Sequence, residues 1–328
     1  MSSARHAFSV IRSLDAFPAH LRGGVVAIGN FDGVHRGHQA VLEEAKALAR
    51  AGNVPAIMMT FDPHPRTVFR PDNPVFRLTD EAGKARLAEA LGLDGILSLQ
   101  FTRSFADQSA DSFIETILIK TLGVRHVVTG YDFHFGHKRQ GTPDYLKEKA
   151  SEHGFGVLIV DMKSDRSGDA VSSSRIRAAL KDGDIAGANR LLGYSYFVEG
   201  PIIHGEKRGR NLGFPTANMA LAENSELRCG VYAVTMTRAD GTEFHGAASF
   251  GRRPTFDNGA PLLETHVFDF SESLYDEVVR IAFHGWLRGE EKFASVDDLV
   301  AQMKDDCEKA RVLLSQRDIQ PLDRVLAG

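Results

Sequence analysis

Two histidines three residues apart, His35 and His38, sit in a corner built from Gly29, Gly33 and Gly37, directly after the apolar run Val25 to Ile28. A glycine-rich turn that carries a parallel strand into a helix leaves backbone N–H groups and the positive end of the helix dipole facing one crevice, which suits an anion. Two imidazoles placed there can donate hydrogen bonds to phosphates and hold the charge that develops when an α-phosphorus is attacked. The stretch has neither the Lys-Ser/Thr ending of a P-loop nor the G-x-G-x-x-G spacing of a dinucleotide fold. An isolated H-x-x-H also fits two other readings. The pair could be ordinary polar residues at a helix start, or zinc ligands, although no Cys or acidic third ligand is obvious nearby.

A second group of chemistry-bearing residues lies in "HGEKRGRNLGFPTANM", residues 204 to 219. Gly205, Gly209 and Gly213 permit a tight loop whose amides can approach phosphate, with Lys207, Arg208 and Arg210 to neutralise it. Taken alone, such a run also reads as a solvated basic loop. Thr216 and Asn218, two apart on an extended segment, present a hydroxyl and an amide oxygen to the same side, which suits Mg²⁺ bridging ATP phosphates.

These groups need elements to hold them. Up to about residue 190, short apolar runs alternate with helical stretches, the signature of strand-helix-strand units and a parallel sheet. The runs are 25 to 30, 55 to 61, 95 to 101, 126 to 130 and 156 to 162. Val41, Leu42, Ala45, Leu48 and Ala49 recur at helical spacing and predict a crossover helix over about 37 to 51. Further helices are expected near 80 to 91, 110 to 122, 143 to 152 and 173 to 192. From about 195 the pattern changes to short β-like stretches broken by Gly and Pro, which predicts an antiparallel barrel or sandwich. A final helix follows, opened by a capping box of Ser295 and Asp298, with Leu299, Val300, Met303, Cys307, Ala310 and Leu314 on one face. The domain boundary is expected near 190, giving 1–190 and 191–328.

A chain of 328 residues is more comfortable as two domains than as one. A net charge of −4 and a pI near 6.4 argue against nucleic acid as the main partner. The two cysteines, Cys229 and Cys307, suggest neither a disulfide scaffold nor a zinc ribbon, and fit a reduced cytoplasm. No apolar stretch approaches the roughly eighteen residues of a membrane span, and the opening residues have no long apolar signal core. The expectation is a soluble, unprocessed protein whose partners are small molecules. Nothing in the sequence decides between a monomer and a homo-oligomer.

Residues 29 to 38 resemble the G-x-F-D-G-x-H-x-G-H signature of the nucleotidyltransferase superfamily, through Gly29, Phe31, Asp32, Gly33, His35, Gly37 and His38. "VSSSRIR" at 171 to 177 is similar to its late I-S-S-T-x-I-R motif, with Val171 for Ile and Ser174 for Thr. "TFDPHP" at 60 to 65 and "GYDFHFGHKRQG" at 130 to 141 look like motifs of the prokaryotic bifunctional riboflavin kinase/FAD synthetase family. In the second half "PTAN", "GVYAV", "RRPTF" and "LLETHVFDF" fall in that family's order.

The resemblance implies a Rossmann-like nucleotidyltransferase domain followed by an antiparallel β-barrel of riboflavin kinase type closed by a helix. The barrel would phosphorylate riboflavin to FMN with Mg·ATP, and the α/β domain would join FMN to the adenylyl group of a second ATP, giving FAD and pyrophosphate. Ser173, Ser174 and Arg177 would hold the triphosphate, Asp132, Phe133 and Phe135 would lie by the flavin, and Glu264 would be the kinase's general base. Read on its own, without the neighbouring motif, Glu264 is an exposed strand residue in a surface ion pair. Ser249 and Asp276 stand where many members have Asn and Gly. Two rival readings are an adenylyltransferase of other specificity fused to a β module, and a flavin-binding regulator without chemistry.

Overall fold

The computed structural model describes residues 7–205, 209, 212–252 and 260–326. Lys207, Arg208, Arg210 and "RRPTF" beyond Arg252 lie outside the described residues. The chain forms two compact units, Met1–Ser172 and Ser173–Gly328.

In the first unit six strands form one parallel sheet: β1 (Ser9–Ile11), β2 (Val25–Ile28), β3 (Ala56–Asp62), β4 (Gly95–Gln100), β5 (His126–Gly130) and β6 (Gly156–Val160), in the order β1-β4-β3-β2-β5-β6. Every residue of β2 is buried, as a central parallel strand covered on both faces requires. The crossover helix α1 (Arg36–Gly52) buries Val41, Leu42, Ala45 and Ala49, and ends on Asn53 in the left-handed conformation. From β2 the chain proceeds to β3 on one side, while β5 pairs with β2 on the other. The carboxyl end of β2 is therefore the sheet's switch point, where an open α/β sheet leaves a crevice.

Five strands fall on the five expected runs. The three-residue β1 was not expected, being too short to carry a pattern. The helix expected over 173 to 192 is two helices, Ser173–Asp182 and Ile185–Leu192, because Gly183 takes φ +78° and the Asp184 carboxylate caps the second helix by accepting from the Gly187 amide at 2.8 Å. Both helices belong to the second unit, so the compact units divide earlier than residue 190. Over 110 to 122 the backbone winds as α and then, from Phe113 to Leu122, as π.

The second unit is an antiparallel sheet of β7 (Phe197–Pro201), β8 (Ala217–Ala220), β9 (Gly230–Thr237), β10 (Glu243–Arg252), β11 (Pro261–Val267) and β12 (Val278–Arg288), ordered β7-β12-β9-β10-β11-β8. Just beyond β7, Ile203 bridges Asn218 on β8, so the sheet curls into a nearly closed barrel. Along β11 every second residue is buried, the alternation of a sheet with one face in the core. The helix Val296–Ser315 is capped as expected, the Ser295 hydroxyl oxygen accepting from the Asp298 amide at 3.1 Å. Ala310 and Leu314 pack with Ala233, Ala247 and Phe268. No helix among the described residues is long and apolar enough to cross a membrane.

Candidate active sites

The turn between β2 and α1 is wound against its own preferences. Phe31, Gly33 and Val34 all have positive φ, at 46°, 82° and 34°. For a β-branched residue this conformation costs on the order of 1–3 kcal/mol and persists only where surrounding contacts hold it. Those contacts are visible. Asp32, 2% exposed, accepts at Oδ1 from the amides of Leu78 and Thr79 at 2.9 and 3.3 Å, and the Gly33 amide donates to Thr79 Oγ1 at 3.0 Å. The Gly29 amide donates to the Met59 carbonyl at 3.2 Å. Asp32, Gly29 and Gly33 thus brace the turn. The amides of Arg36 and Gly37, in the first turn of α1, make no hydrogen bond among the described residues and are the ones available to an anion.

His35 caps α1, its Nδ1 accepting from the His38 amide at 3.3 Å. That bond places the proton of a neutral ring on Nε2, leaving it a donor. The His35 and His38 rings stack with centroids 3.6 Å apart and 15° between planes. A Cβ on Gly37 would lie 3.1 Å from the His35 ring, so the ring is packed tightly against this glycine. Burial, then His35 and Lys84 close by, hold the His38 imidazole well below the usual histidine range, so it is uncharged at neutral pH. Its Nδ1 is buried with no partner among the described residues. The buried Phe31 meets His38 edge-on at 5.3 Å.

At the end of β5, Phe133 and Phe135 stack at 5.5 Å and 17°, but their surroundings differ. Phe135 is buried in the core against Phe113, with its backbone paired to Gly141, whereas Phe133 is half-buried and Asp132 exposed. Phe133 is the ring with a face to offer. Ser173 opens its helix, and Arg177, four residues on, shares its face.

The second unit gathers its residues by strand register. Asn218 on β8 lies directly opposite Glu264 on β11, and Glu264 directly opposite Ser249 on β10. Directly opposed residues point to the same face with Cβ atoms about 5 Å apart. Asn218 is 5% exposed; its Nδ2 donates to the Thr216 carbonyl at 3.3 Å, and its Oδ1 is buried without a partner among the described residues. An orphaned amide oxygen on the same sheet face as a carboxylate fits a hard cation that takes most of its ligands from phosphate and water. Gly205 is required there, since a Cβ would meet Asn218 Nδ2 at 2.5 Å. Gly213, at φ +86°, closes the turn after Gly209, whose carbonyl accepts from the Leu212 and Phe214 amides. Asp276 has φ +64°, a backbone that favours glycine.

Sequence reasoning missed Lys84, Thr60 and Thr79, which lie buried behind the first turn. The signal was present for Lys84: it shares a helix face with buried Leu87 and Ala88, a core position for a charged residue.

The comparisons with known proteins follow this division. A family model described as FAD synthetase matches residues 17–175, and one described as riboflavin kinase matches residues 192–314. The bifunctional riboflavin kinase/FMN adenylyltransferase of Haemophilus influenzae is 39% identical over 307 residues, covering 93% of this chain and 99% of the relative. That of Escherichia coli K12 is 37% identical over 284 residues, 87% of this chain and 90% of the relative. A crystal structure from Streptococcus pneumoniae described as a macrolide-efflux protein matches with a TM-score of 0.81 and 32% identity, over 93% of this chain and 99% of that one. The chain belongs to the family of bifunctional riboflavin kinase/FMN adenylyltransferases.

Proposed function

We propose that this chain makes FAD from riboflavin in two ATP-dependent steps, with the kinase in residues 191–328 and the adenylyltransferase in 1–190. The observation that carries the reading is the cross-strand alignment of Glu264 with Asn218. In the barrel, Glu264 accepts the proton of riboflavin's terminal ribityl hydroxyl as that oxygen attacks the γ-phosphorus of ATP, giving FMN and ADP. Thr216 and Asn218 would hold Mg²⁺, which would neutralise phosphate charge when bound. Gly205, Gly213, Lys207 and Arg210 belong to the loop that takes the ATP phosphates.

In the α/β domain the FMN phosphate attacks the α-phosphorus of a second ATP and pyrophosphate leaves. His35 donates through Nε2–H and His38 stands beside it uncharged. The first-turn amides of α1 add the helix dipole, and Ser173, Ser174 and Arg177 hold the triphosphate by virtue of their motif. Phe133 stacks on the flavin, with Asp132 at its edge. Because phosphoryl transfer depends mainly on positioning and charge, no covalent nucleophile is required. The partners are small molecules and the setting is the reducing cytoplasm.

A chromatographic time course with riboflavin, ATP and Mg²⁺, repeated from FMN, tests the reading. FMN followed by FAD is expected. FMN alone would overturn the assignment of the first domain, and flavin binding without product would favour a regulator.

A further inference from the structure

Behind the strained turn lies a buried cation that makes no direct ion pair among the described residues. Lys84, on the helix Glu81–Ala90, is 4% exposed. Among the described residues its Nζ has one hydrogen-bond partner, Thr60 Oγ1 at 3.3 Å. The Thr60 hydroxyl in turn donates to the carbonyl of Asn30, inside the turn, at 2.9 Å. An ammonium has three protons to place, and a buried charge is costly unless paired.

Three carboxylates face Lys84, and each is committed elsewhere. Asp32 accepts from the Leu78 and Thr79 amides, Asp62 pairs with Arg77 at 2.6 Å, and Glu81 pairs with Arg12 at 3.0 Å. None lies within ion-pair distance of Lys84 Nζ among the described residues. The other charged or titratable groups near it are Arg77 and, on α1, His38. The balance of burial over these neighbours brings the Lys84 ammonium below the usual lysine range.

We propose that Lys84 is a positioning residue of the adenylyl-transfer site, a buried cation tied through Thr60 to the back of the phosphate turn, whose charge is balanced when a polyphosphate binds at the front. The inference rests on the adenylyltransferase reading of this domain. It explains why the turn is braced so heavily from the segment 78–84: the same contacts that hold Phe31 and Val34 in strained conformations hold the helix carrying Lys84 against them. It also adds to what keeps His38 uncharged, after burial and the neighbouring His35, since a nearby cation disfavours a second one.

The test uses the full chain and inorganic pyrophosphate as probe, so no turnover is involved. In the wild-type protein, NMR titration of the Lys84 side chain should show it deprotonating at higher pH once pyrophosphate is bound; an unchanged titration overturns the proposal. Lys84→Met, similar in length and uncharged, should bind pyrophosphate about tenfold or more weakly by calorimetry. It should also let His38 protonate at higher pH than in the wild type, while riboflavin phosphorylation keeps its rate. Lys84→Arg should restore part of the affinity. Unchanged pyrophosphate affinity and His38 titration in a folded Lys84→Met chain would overturn it. A wild-type chain that binds pyrophosphate with these signatures yet makes no FAD would instead refute the adenylyltransferase reading alone.

Discussion

The two candidate sites are assembled in opposite ways. The histidine turn at the heart of the first is local: His35, His38, Gly37 and their strained backbone lie within ten consecutive residues, 29 to 38, and contacts from behind hold them. The second is distributed: Asn218, Glu264 and Ser249 come from three strands and meet only because the register of β8, β11 and β10 aligns them. A local site fails when its turn relaxes, whereas a distributed one fails when a strand slips. The two chemistries should therefore break separately.

The largest separation is expected from Glu264→Ala. Loss of a general base should lower FMN formation by about 10²–10⁴-fold while FMN is still converted to FAD, as a chromatographic assay from each substrate would read. Loss of both activities in a folded variant would contradict independent sites. His38→Ala should do the reverse, slowing FAD formation by about 10²–10³-fold and sparing the kinase; an unchanged rate of FAD formation refutes its phosphate role.

Adding a methyl group sharpens the contrast. Gly205→Ala presses on the Asn218 amide and Gly37→Ala on the His35 ring. Each should cost its own activity about tenfold, the price of misplacing a catalytic group by a fraction of an ångström. A smaller effect concerns pH and the second unit. Burial, with Arg317 and His245 adding to it, pushes His284 down from 6.5 to about 3. The unfolded chain therefore takes up this proton first as the medium acidifies. The stability this neutral histidine contributes is complete above pH 6.5 and lost as pH falls toward 3. In His284→Leu the fall of Tm over that interval should be shallower; an identical slope would place the protonation elsewhere. The smallest effect is Asp276→Gly, which relieves a left-handed backbone and should raise stability by at most about 1 kcal/mol, read by denaturant titration, with little change in either rate.

How much of this was legible in the sequence divides along the same line. The local site was readable because its residues adjoin: the glycines, the two histidines and the apolar run of β2 announce a strand, a turn and a helix start. The roles of Asp32, Gly29 and Gly33 as braces were not, since the partners Leu78, Thr79 and Met59 lie far along the chain. The distributed site was readable as types and order. That Glu264 faces Asn218 is a matter of register, set by cross-strand pairing that alternation alone leaves open. Lys84 was legible only as a position, sharing a helix face with Leu87 and Ala88; what a lysine does there shows once the segment 78–84 is seen folded beneath the turn. Asp276 shows the converse, a residue type that sequence comparison marked as unusual and whose left-handed φ supplies the reason.

Asn218 has a second role that links architecture to chemistry. Its main-chain carbonyl accepts from the Ile203 amide at 2.8 Å, in the bridge that brings the end of the first barrel strand to β8. The barrel's seam therefore runs through the residue proposed to hold the cation. Nucleotide and metal that steady Asn218 also fasten the seam, and the exchange of the Ile203 amide with solvent deuterium becomes a clock for occupancy of the kinase, slowing when the site fills.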